Sequence, residues 1–136
     1  MKQLLMNPCF ILLCISLDGL YFVITGIQYW ITDYLINRIK QPESTVFLTF
    51  GIVSITAPIF GVIAGGNLTT YLGGYLTRNS LYITCLSAML CLMCSAPIPF
   101  IYNFYGVICL LWFLLFFGGS ILPCITGIML NTVDQN

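Results

Sequence analysis

Residues 104–130 read FYGVICLLWFLLFFGGSILPCITGIML, 27 positions without a single charge. Wound as a helix at about 1.5 Å per residue, that stretch is roughly 40 Å long. The hydrocarbon core of a bilayer is about 30 Å thick. Outward from it the pattern continues: residues 79–133 carry no charge, and neither do residues 44–77. The 136-residue chain holds four Lys and Arg against four Asp and Glu, and 60% of it is hydrophobic. A soluble domain devotes about a quarter of its residues to charge, so eight charges cannot clothe a soluble surface. Zero net charge and the lack of a basic patch exclude a nucleic-acid partner. The reading is an all-α, integral, multi-pass membrane protein whose first partner is the lipid bilayer.

Four apolar segments fall at residues 8–36, 45–66, 80–98 and 104–130, making one partial transmembrane domain over 1–136. Pro8 suits a first helical turn, with Asn7 as its cap. The apolar run beyond it is too long for a signal peptide and lacks a small-residue cleavage site. Pro42 closes the polar break after the first segment. Asn67 to Asn79 reads as a loop, and Pro97-Ile98-Pro99 ends the third segment ahead of a tight turn near Ile101–Asn103. Basic residues divide evenly, Arg38 and Lys40 against Lys2 and Arg78, so charge alone gives no orientation. No sorting signal separates the plasma membrane from an endomembrane or lysosomal location.

Seven cysteines are scattered through the apolar runs, and the chain has no histidine. Cys91-Leu-Met-Cys94 has redox or metal spacing but no second ligand pair, so these thiols read as small apolar side chains. Without histidine the usual general base and most transition-metal sites are gone. No catalytic residue, cofactor or metal is expected, and the chain does not read as an enzyme.

Asp18 lies near the middle of the first segment, where a carboxylate is costly unless it faces a partner or a cavity. At helical spacing, Asp18, Tyr21, Thr25, Tyr29, Thr32 and Asp33 share one broad face, with Gln28 at its edge. Such a stripe is expected to line a substrate pathway and to face the interior. In the fourth segment Trp112, Gly119, Ser120, Pro123, Thr126 and Gly127 fall on one side, available to pair with that stripe. Trp112, Ser120 and Thr126 are further pathway candidates. Ala57, Gly61, Gly65 and Thr69 recur every four residues in the second segment, a row that lets another backbone approach closely.

Three stretches resemble the major facilitator superfamily, and within it the Spinster-like transporters. Asn7-Pro8 followed by Gly26-Ile27-Gln28-Tyr29-Trp30-Ile31-Thr32-Asp33-Tyr34-Leu35 is similar to their seventh membrane helix. The stretch from Gly61 through Gly65-Gly66-Asn67-Leu68-Thr69-Thr70-Tyr71-Leu72-Gly73-Gly74 resembles the end of the eighth helix and its loop signature. Gly66, Leu68, Gly73 and Gly74 carry that signature, while Thr70, Tyr71 and Gly74 stand where its charged residues usually do. Residues 123–130, Pro123 to Leu130, resemble the end of the tenth helix. The resemblance implies helices seven to ten of a twelve-helix secondary transporter for a lipid or another small solute, both ends cytoplasmic, with the first and fourth segments lining its cavity. It also implies that the Ala57–Gly61–Gly65 row lacks its partner and that the chain alone, without the missing half or a partner chain, is inactive. A small dimeric proton-coupled drug antiporter and a non-catalytic subunit of a membrane complex are the rival readings.

Overall fold

The structure, a computed structural model, describes residues 8–74 and 78–134; Asn7 and the other terminal residues lie outside them. The described residues are all-α, without strands. Helix α1 spans Pro8–Asp33 and runs into one π-helical turn, Tyr34–Arg38; α2 spans Glu43–Tyr71, α3 Arg78–Ser95 and α4 Phe104–Asp134, with a 3-10 turn at Ile98–Phe100. Four helices are long and apolar enough to cross a membrane.

Helix α4 is the axis of the arrangement. It packs most extensively on α2, then on α3, and least on α1. Its Val107, Leu111, Leu114 and Leu115 form the core with Ala57 and Val53 of α2, Ile31 of α1 and Leu35 of the π turn. Half of the most apolar stretch of α4 is buried, against none of the corresponding stretch of α1. With lipid as solvent, apolar burial adds little association energy, so the helices are held by close packing and hydrogen bonds.

The α2–α4 contact is the closest. A Cβ on Gly65 would lie 2.8 Å from the Ser120 Cα, and one on Gly61 would overlap the Phe116 carbonyl. In return, a Cβ on Gly119 would stand 2.9 Å from the Pro58 carbonyl oxygen. Ala57, Gly61, Gly65 and Thr69 are all buried. This corrects the expectation that the row lies uncovered: its partner is α4 of the same chain. The small-residue pattern registered a close approach but not the helix that makes it.

The polar stretch read as a loop from Asn67 is helical to Tyr71. Its hydroxyls serve the helix, Thr69 donating to the Gly65 carbonyl at 2.8 Å and Thr70 to that of Gly66 at 2.9 Å. The helix stops at Gly73 and Gly74, whose φ values of 107° and 82° suit glycine. Asn79 Nδ2 then donates to the Leu72 carbonyl at 3.1 Å. At the other end of the bundle, Lys40 takes a left-handed φ of 59° to reverse the chain after the π turn, and Pro42 precedes α2. Asn103 opens α4, its side chain accepting from Tyr105 N–H at 3.2 Å.

Candidate functional site

Helix α1 presents three different faces, at about 100° of turn per residue. Its seam is apolar: Ile31 and Leu35 are buried, and Ile24 and Ile27 pack beside them against the core. The polar stripe lies on one flank of that seam, roughly a third of a turn away. Asp18, Tyr21, Thr25, Gln28 and Tyr29 are exposed there, and Thr32 is half-buried. Asp18 has no hydrogen bond or ion pair with any described residue. Its flank points away from the other three helices, so the interior that Asp18 is expected to face is not formed by the described helices. The seam prevailed because leucine and isoleucine fit the α4 surface and leave no unpaired polar atom there.

The candidates on α4 engage α2 and α3 instead of the α1 stripe. Trp112 donates its indole N–H to Thr56 Oγ1 of α2 at 3.3 Å and stacks on Phe116, centroids 5.4 Å apart. Ser120 donates to the Phe117 carbonyl at 2.8 Å and lies 3.2 Å from Ser87 Oγ of α3. Thr69 Oγ1 lies 3.0 Å from Cys124 Sγ. These contacts build a polar ladder from α2 through α4 to α3, so the pairing of this face with the α1 stripe is also corrected. Thr126 is exposed and Pro123 is half-buried within an unbroken α4. Gly66 and Leu68 stand on the last turns of α2 ahead of Gly73 and Gly74. Cys91 Sγ donates to the Leu114 carbonyl at 3.6 Å, and no group of three metal-ligating side chains occurs among the described residues.

Asp33, expected on the stripe, stands instead at the end of α1 in a second polar group with Trp30, Tyr34, Asn37 and Arg38, whose other members were not singled out in the sequence. Asn37 donates to Asp33 Oδ1 at 2.6 Å across one turn. The Arg38 guanidinium sits over the Tyr102 ring, 5.7 Å from its centroid, with Nη2 3.4 Å from the phenol oxygen. Tyr34 donates to the Ile101 carbonyl at 3.3 Å. The four-residue spacing of Asp33 and Asn37 is visible in the sequence. The role of Tyr102 is not, because it depends on the turn that brings residues 98–103 back to the end of α1.

Four membrane-length helices, a polar flank along one of them and a polar ladder among the others define a multi-pass integral membrane protein. The family model of the Organic Anion Transporter Polypeptide (OATP) family matches residues 1–103, and the chain belongs to that family. No curated protein and no solved structure matches it significantly. The match corrects the Spinster-like assignment: the shared features, an apolar helix series with a glycine-rich loop, belong to the superfamily as a whole and do not single out that branch.

Proposed function

We propose that the chain contributes one wall of a pathway along which organic anions cross a membrane. The observation that carries this reading is the uncovered polar flank of α1, with Asp18, Thr25 and Tyr29 exposed inside a membrane-length helix. A carboxylate at such a depth is costly against lipid and is met by water or by polar partners. Helices beyond the described four, from a partner chain or a longer polypeptide, close the opposite wall, and alternating access follows from one set rocking against the other. The anionic substrate class comes from the family to which the chain belongs.

Thr25→Cys in native membranes tests the proposal. A membrane-impermeant thiol reagent is expected to label it, and a small organic anion such as carboxyfluorescein to slow the labelling. Val23→Cys, on the other flank, is the control expected to be insensitive to the anion. Labelling of Thr25→Cys only by lipid-soluble reagents would overturn the reading.

A further inference from the structure

The flank of α1 opposite the polar stripe borders a series of clefts with a graded lining. At the end of α1 a cleft of about 390 Å³ is lined by Trp30, Asp33, Tyr34, Asn37 and Arg38. Trp30 and Tyr34 also line the next cleft, about 300 Å³, whose other walls include Gly26, Ile27, Ile31 and Ile98. Ser95 and Leu114 are in turn shared with a third cleft of about 400 Å³ between α1 and α3. The series is polar at one end and apolar onward, and it opens sideways along helices that cross the bilayer.

We propose that this groove holds one zwitterionic phospholipid of the surrounding bilayer, headgroup at Arg38 and Asp33 and acyl chain along Ile27 and Ile31. The charges match such a headgroup. Arg38 has a tyrosine ring beneath it and no carboxylate within ion-pair distance among the described residues, which leaves most of its donors for a phosphate. Asp33 lies in the same cleft with one carboxylate oxygen engaged by Asn37 and the other open. An ammonium group there meets that oxygen and the Trp30 ring. One cation and one acid make a neutral cleft, which favours a zwitterion over an anionic lipid. The exposed Trp30, Tyr102 and Tyr105 at this end are the aromatic residues that settle at headgroup level. From Arg38 to Gly26 is twelve residues, roughly 18 Å of helix, about the depth of one leaflet. This site is on the flank away from the pathway proposed above and does not rest on that reading.

The test is competitive lipid retention. The full chain is reconstituted in nanodiscs of equimolar phosphatidylcholine and phosphatidylglycerol with identical acyl chains, then transferred to mild detergent, and retained lipid is measured by native mass spectrometry. Phosphatidylcholine is expected to be retained about fivefold over phosphatidylglycerol. Arg38→Gln lowers retention of phosphatidylcholine, because the phosphate loses its partner, while the remaining Asp33 keeps the anionic lipid disfavoured. Asp33→Asn reverses it towards phosphatidylglycerol, a gain that an unfolded variant cannot imitate. A Cβ on Gly26 meets nothing within 4 Å, so Gly26→Leu projects into open space in the cleft and lowers retention of both lipids while keeping their ratio. Equal retention of the two lipids by the unaltered chain, or an Asp33→Asn chain with unchanged preference, would overturn the proposal.

Discussion

Gly65 of α2 and Ser120 of α4 meet backbone to backbone, so closely that a methyl group on the glycine would stand 2.8 Å from the Ser120 Cα. The same approach recurs one turn away, between Gly61 and Phe116. Two successive contacts of this kind fix the crossing of the two helices and place Trp112, Ser120 and Cys124 beside their partners.

Gly61→Leu is therefore expected to destabilise the chain by about 3 kcal/mol or more, because backbone cannot move aside as a side chain can. Gly66 is the internal control: a Cβ there meets nothing within 4 Å. Gly66→Ala should raise stability by roughly 0.5–1 kcal/mol by relieving the helix of glycine's extra backbone entropy. Unfolding in mixed micelles measures both. Equal effects of the two substitutions would contradict the assigned contact.

The buried pair Thr69 and Cys124 should couple measurably. Thr69→Val and Cys124→Ala each remove one side of a 3.0 Å contact. A double-mutant cycle is expected to return a coupling of about 0.6 kcal/mol, the ordinary value for polar pairs between membrane helices. Zero coupling would mean that Thr69 is satisfied by the Gly65 carbonyl alone.

The purified 136-residue chain in liposomes is expected to show no saturable uptake of carboxyfluorescein, with or without a proton gradient, since the proposed pathway takes only one of its walls from the described helices. Saturable uptake that vanishes in Asp18→Asn would instead support a small dimeric antiporter.

The four spans were legible because charge is absent over long windows and reappears at two of the breaks, near Arg38, Lys40 and Arg78, while Pro97 and Pro99 mark the third. The close-packed face of α2 was legible too, since Ala57, Gly61 and Gly65 recur every four residues. Its partner was not, because small residues record that a backbone comes near without recording which one. The facing of α1 was hidden for a different reason. In a membrane helix the lipid side and the packed side are both apolar, so Ile24, Ile27 and Ile31 look no different from Phe22 and Val23 until the neighbours are in place. Thr69 and Thr70 read as loop because hydroxyl groups look polar in sequence, yet each returns its hydrogen bond to its own helix. The Arg38–Tyr102 contact joins residues 64 positions apart, a separation that no local pattern spans.

The most direct test of the central claim, that the polar flank of α1 borders water, is a spin-label scan over residues 17–32 in native membranes, on a background without native cysteines. Accessibility to a water-soluble nickel chelate is expected to peak at positions 18, 21, 25 and 29. Accessibility to oxygen should peak at 19, 23 and 30, and both should fall at 24, 27 and 31. Oxygen maxima at 18, 25 and 29, with no nickel access there, would place the flank against lipid and contradict the account.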